Sequence, residues 1–179
     1  MHNKEFATFG GGSFWCIDAI FRKVKGVENC LTGYAGGITN NPTYMEICSG
    51  KTGHAQVVQL IFNPGTISYI DLLNIFFTSH DPTTLNAQGP DKGPHFRSII
   101  LHHHEEQLKL ATEIIDRIKP QYLNPIVTEI SQYKQFFPAE PLHQNFFKFN
   151  RESGYSIFVI EPKLKFLKRR FEDKIIDSI

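Results

Sequence analysis

Strand-like and helix-like segments take turns along almost the whole chain, and that alternation restricts it to a fold of helices layered on a sheet. Residues 6–9 read as a short strand that stops at Gly10-Gly11-Gly12. Ile17, Ile20, Phe21 and Val24 then recur at helical spacing, so a helix begins near Ser13 and ends before Gly26. Residues 27–34 form a second strand closed by Gly36-Gly37, and 38–52 loop around a short helix at 44–48. Residues 55–62 are the clearest strand, bounded by Asn63-Pro64-Gly65. Ser68 with Asp71 three residues on opens the next helix. Residues 81–94 read as coil, 96–102 as strand, 105–119 as an amphipathic helix and 126–130 as strand. The stretch 136–150 is aromatic and irregular, and Pro162 opens a basic C-terminal helix.

Composition narrows the function classes. The 179 residues, 41% hydrophobic and 21% charged, suit one domain over 1–179 with a single core. Lys+Arg number 19 and Asp+Glu 18, a net charge of +1, which argues against nucleic-acid binding by bulk electrostatics. Apolar runs are too short for a membrane span, and the polar start Met1–Phe6 lacks a secretory apolar region. Three cysteines make no disulfide framework and suit a reducing cytoplasm. The 16 Phe exceed what a core of this size needs, so some are expected to line a pocket.

Chemistry is expected at Gly10-Gly11-Gly12-Ser13-Phe14-Trp15-Cys16. A strand-to-helix junction offers free N–H groups and a positive dipole end. A phosphate cradle there lacks the Lys-Ser/Thr pair and the GxGxxG spacing, so an N-cap at Ser13 and a turn at Gly12 is the plainer reading. Phe14 and Trp15 are core plugs or pocket walls. Cys16 falls in a first turn, where the dipole lowers a thiol pKa, or is a small buried hydrophobe. Gln56 shares a strand face with Val58, Leu60 and Phe62, and is either a solvated strand end or aimed into a site. His102-His103-His104 cannot all face one metal ion and read as a solvated turn; no metal site is expected. Lys163, Lys165, Lys168, Arg169, Arg170 and Lys174 read as a solvated basic face.

At the glycine junction the chain resembles peptide methionine sulfoxide reductase A, whose signature reads Gly-Cys-Phe-Trp. Gly33-Tyr34-Ala35-Gly36-Gly37, Asn41-Pro42-Thr43-Tyr44, Cys48-Ser49-Gly50 and Thr52-Gly53-His54-Ala55 follow in the family's order. So do His80-Asp81-Pro82-Thr83, Gln88-Gly89, Asp91, Gly93, Arg97-Ser98, Pro138-Ala139-Glu140 and His143-Gln144. The resemblance covers about residues 5–170. It implies an α+β fold: a ferredoxin-like two-layer core with extensive coil. It also implies a reaction. A Cys thiolate attacks the sulfur of methionine S-sulfoxide, in proteins or free, while a carboxylic acid and tyrosine hydroxyls protonate the departing oxygen. Methionine leaves, and the enzyme's sulfenic acid passes to a disulfide that thioredoxin or another dithiol reduces, with no other cofactor.

Carried across residue by residue, the resemblance places Ser13 at the nucleophile position and Gln56 at the acid position. Tyr44 matches one family tyrosine, and Phe96 stands at the second. Asp91 matches the family aspartate, Phe14 and Trp15 the methyl cage, and His143 a tail motif that closes the site or packs a surface aromatic patch. Cys16 is the partner of a missing Cys at 13, a possible resolving thiol; Cys30 and Cys48 are structural. A serine oxygen has no step equivalent to sulfenic acid and is protonated at neutral pH. Gln56 keeps the shape of Glu but has no acidic proton. Two readings result: a reductase whose nucleophile was deliberately trapped, or a diverged protein that binds oxidised methionine without turnover. A trap needs one altered position; three fit divergence.

Overall fold

The structure, a computed structural model, describes residues 4–176. β1 (Glu5–Gly10), β2 (Val27–Ala35), β3 (Ala55–Phe62) and β6 (Ile99–His102) form an antiparallel sheet in the order β6-β1-β3-β2. α1 (Phe14–Phe21) links the first pair of strands and α3 (Tyr69–Ser79) the last, which is the expected ferredoxin-like arrangement. β7 (Glu129–Gln132) extends the sheet parallel to β6, and β8 (Phe136–Pro138) extends it antiparallel to β2. Between α3 and β6 lies a two-stranded hairpin, β4 (Ala87–Gln88) and β5 (Asp91–Lys92), inside the stretch read as coil.

Strand alternation sorts the apolar residues onto two faces. Ala7, Phe9, Val58, Leu60 and Phe62 meet α1 and α3 in the main core, where Phe9 stacks on Phe76 at 5.0 Å between ring centres. Ala35, Ala55, Val57, Ile99 and Leu101 form a smaller cluster on the opposite face under Tyr133 and Phe136. α3 starts where its capping box predicts: Asp71 N–H donates to the Ser68 hydroxyl at 3.0 Å, and Ser68 N–H to the Asp71 carboxylate at 3.3 Å. α2 (Tyr44–Cys48) begins at Thr43 and Glu46 in the same way. α4 (Glu105–Ile118) buries Gln107, Ala111, Ile114 and Ile118 along one stripe.

Some boundaries differ from expectation. The strand expected over 96–102 starts only at Ile99, because a 3-10 turn at Pro94–Phe96 precedes it. The strand expected over 126–130 begins at Glu129, because Val127 N–H is drawn away to the Pro82 carbonyl at 2.8 Å. The His triplet is not a solvated turn. His102 is buried in β6, and His103 bonds the Thr8 hydroxyl at 2.9 Å and stacks on Tyr133 at 4.2 Å, leaving only His104 exposed. The irregular aromatic stretch holds β8 and α5 (Phe146–Phe149), and α6 (Glu161–Arg170) follows a π-helical turn at Ser156–Ile160. Among the described residues no helix is long and apolar enough to cross a membrane, and no cluster of His, Cys, Asp or Glu could hold a metal.

His80 closes α3 against the glycine turn. Its Nδ1 donates to the Phe76 carbonyl at 2.8 Å, and its Nε2 pairs with the Ser98 hydroxyl at 2.7 Å. Burial holds its pKa down to about 4, so the folded chain keeps the ring neutral while the unfolded chain protonates it near 6.5. The stability this provides is complete above pH 6.5 and is lost as pH falls towards 4. Urea unfolding is expected to show a loss of about 2 kcal/mol from this group between pH 7 and pH 5. In His80→Gln the pH 7-to-5 difference should shrink by that amount; an unchanged difference refutes it.

Candidate functional site

The glycine run delivers Ser13 to a fixed place. Gly12 has φ +91°, and its N–H donates to the Phe96 carbonyl at 3.1 Å, so the chain turns sharply off β1. Ser13 is the N-cap of α1, its hydroxyl accepting the Trp15 N–H at 3.3 Å, as expected. It is 5% exposed. α1 is pinned from behind by Asp18, fully buried, which accepts from Arg22 Nε at 2.8 Å.

Aromatic side chains gather around the start of α1. Trp15 stacks on Phe146 at 4.0 Å with the planes 11° apart, and its indole N–H donates to His143 Nδ1 at 3.2 Å. Tyr44 lies against His143 at 4.3 Å, and Phe14 sits among Tyr34, Tyr44 and His143. Phe14 is buried, while Trp15 and Tyr44 are half-buried. Phe14 is thus a core plug, while Trp15 and Tyr44 pack against the core and keep part of their surface exposed. His143 belongs to the same cluster, not to a separate surface patch. β8 places them: its pairing with β2 brings Glu140 in, where it accepts from the Tyr34 hydroxyl at 2.7 Å and the Tyr44 N–H at 2.8 Å.

Gln56 resolves to the second of its two readings. It is 1% exposed, opposite Tyr34 on β2, and aimed into the site rather than a solvated strand end. Its Oε1 accepts the Phe14 N–H at 3.1 Å, and its Nε2 has no hydrogen-bond partner. The Tyr44 hydroxyl faces this amide; burial and the neighbouring Cys48 push the Tyr44 pKa up to about 12. Asp91, on β5, reaches the other side of Ser13 and accepts from the Tyr155 hydroxyl at 2.7 Å. Phe96 joins through its backbone, while its ring packs on His95 at 4.1 Å.

The profile of a family described as peptide methionine sulfoxide reductase matches residues 5–175. The chain belongs to this family. A methionine sulfoxide reductase of Leptospira borgpetersenii is 48% identical over 171 residues, covering 95% of this chain and 97% of that relative. The structure of methionine sulfoxide reductase A of Corynebacterium diphtheriae aligns with a TM-score of 0.82 at 32% identity, over 86% of this chain and 78% of that one. Mxr1 of Saccharomyces cerevisiae, solved in complex with Trx2, aligns at 0.58 and 27%, over 80% and 84% of the two chains.

Within this reductase-family fold Cys16 takes the second of its two readings, a small buried side chain. Cys16 has no lowered pKa. It is completely buried, and burial raises the thiol despite the Lys163 ammonium beside it. Cys16 and Ser13 line one cavity of about 250 Å³ together with Asp91, Tyr155 and Lys163. Lys163 therefore turns inward from the face read as wholly solvated, whereas Lys165, Arg169 and Arg170 are exposed. Cys30 is buried, but Cys48 is exposed at the end of α2 beside Tyr44, not packed in the core. Tyr155 was missed in the sequence: it bonds Asp91 and faces Ser13, and burial followed by that carboxylate raises its pKa.

Proposed function

We propose that this chain is a methionine sulfoxide reductase by descent that binds methionine S-sulfoxide, in proteins or free, and does not complete its reduction. The observation that carries the reading is Ser13, which caps α1 beside the aromatic cluster at the nucleophile position. Reduction moves two electrons from the attacking atom to the sulfoxide sulfur, and in the net step the attacker takes up the oxygen, so that thiol and sulfoxide give sulfenic acid and thioether. A thiolate sulfur supplies them by rising to sulfenic acid; a serine oxygen cannot. Phe14 and Trp15 cage the substrate methyl, Tyr44 and Asp91 hold the polar part, and His143 fixes the indole. Gln56 and Phe96 stand where an acid and a second tyrosine hydroxyl serve the reaction.

Thioredoxin or a small dithiol has a task only after a thiol is restored at 13. Cys16, three residues along the helix, is then the resolving partner, since this spacing puts the two Cα atoms about 5 Å apart, within disulfide range. The whole chain, one domain over 1–179, operates in the reducing cytoplasm, consistent with three free cysteines.

Calorimetry with a peptide containing methionine S-sulfoxide is expected to show saturable binding, with weaker binding of the unoxidised peptide. The same peptide incubated with protein and dithiothreitol is expected to yield no methionine above the protein-free control. Turnover by the unaltered chain overturns the loss of reduction. Absence of binding at every accessible concentration overturns recognition.

A further inference from the structure

We propose that Met45 is an oxidation site of this chain, and that its S-sulfoxide is a ligand for the recognition site of a second copy, so that oxidation joins two chains into a closed pair. The inference rests on the binding reading above and extends it to a named partner. The chain holds two methionines, Met1 and Met45. Met1 lies outside the described residues. Met45 is on α2 and 81% exposed, so its thioether lies open to a peroxide. In that step the sulfur lone pair attacks one peroxide oxygen, an S–O bond forms, the O–O bond breaks and water leaves. The sulfur loses two electrons and the peroxide takes them.

The position of Met45 makes the product a ligand. Tyr44 precedes it, and successive side chains on a helix stand about 100° apart. Tyr44 faces inward, against His143 at 4.3 Å and Phe14 at 6.4 Å between ring centres, while Met45 stands in solvent. The Thr43–Glu46 capping box and the Tyr44 N–H, which donates to Glu140 at 2.8 Å, hold α2 in this orientation. A chain therefore cannot turn its own Met45 into its own site, whereas the Met45 of another copy meets no such constraint. Leu142, which precedes His143, is 69% exposed, so apolar side chains flank the Tyr44–His143 contact from both segments and give a second copy a surface to cover. The same placement fixes the symmetry. A copy that docks Met45 on its partner carries its own site onto the partner's equivalent side chain. The contact is isologous, two equal exchanges about a twofold axis, and it closes at two chains instead of growing into a filament. The thioether of unoxidised Met45 lacks the sulfoxide oxygen, so unoxidised chains stay apart. Ser13 cannot take up that oxygen, so a docked sulfoxide persists.

The test is sedimentation of the full chain before and after hydrogen peroxide, at a concentration well above the dissociation constant of the S-sulfoxide peptide, with oxidation of residue 45 followed by mass spectrometry. All samples are measured in dithiothreitol, which reverses disulfides and sulfenic acids formed by the three cysteines. Peroxide forms both sulfoxide epimers, so about half of the oxidised residues carry the S configuration. The oxidised chain should sediment in part at twice the mass of the untreated chain, and excess S-sulfoxide peptide should return it to the single mass. Met45→Leu, which retains Met1, should stay at the single mass after the same treatment. A single mass for a chain oxidised at Met45 overturns the proposal. So does a pair that survives excess peptide or forms equally in Met45→Leu, and so does resistance of Met45 to peroxide. In each of these cases calorimetric binding of the peptide by the unaltered chain leaves the recognition reading standing; absence of that binding brings down the reading and this inference with it.

Discussion

Ser13→Cys is expected to give slow methionine formation with dithiothreitol, and Ser13→Cys with Gln56→Glu a rate about 10²–10⁴-fold higher. The first change supplies an atom that can accept oxidation; the second supplies the proton that the departing oxygen needs. α1 already presents residue 13 at a helix N-terminus, where the dipole favours a thiolate, so the new thiol starts in a favourable field. Lys163 lies across the same cavity and adds positive charge. Methionine released from the S-sulfoxide peptide measures both variants. Full recovery by Ser13→Cys alone would show that the carboxyl is dispensable and support a single trapped position; no recovery by the pair would sink the nucleophile assignment. Turnover by the unaltered chain that disappears in Cys16→Ala would make Cys16 the working thiol.

Trp15→Ala is expected to weaken binding of the S-sulfoxide peptide by about a hundredfold, an effect in the range of an aromatic anchor. The indole lies between Phe146 and Tyr155 and is oriented by His143. Truncation removes the indole and frees Phe146 to fall inward. Trp15→Phe should retain a larger part of the affinity, because a flat face remains but the bond to His143 does not. Calorimetry checks both variants, with thermal unfolding to verify that each is folded. Unchanged affinity in Trp15→Ala would remove the cage from recognition.

Much of this architecture is local and therefore readable. The Ser68–Asp71 capping box, the run 55–62 and the glycine turn before α1 each follow from neighbouring residues, and the structure holds them as expected. The paired face of Gln56 was readable too, but its direction was not, because only the distant Phe14 N–H settles it. Tyr155 and Lys163 were out of reach for the same reason: the partners that define them lie 64 and 147 residues away in Asp91 and Cys16. Which of the two readings of Cys16 holds was not readable, because a sequence gives the helix position but not the burial. The His triplet misled because its charges suggested water, while the pairing of β6 with β1 carries His103 onto Thr8.

The pocket draws its walls from Ser13 at one end of the polypeptide to Tyr155 near the other. A ligand in this pocket therefore bridges segments far apart in the chain and binds only where both are in place. A guest at a hundred times its dissociation constant therefore stabilises the entire native state by about 2.7 kcal/mol, and a destabilised variant can be rescued by the molecule it recognises.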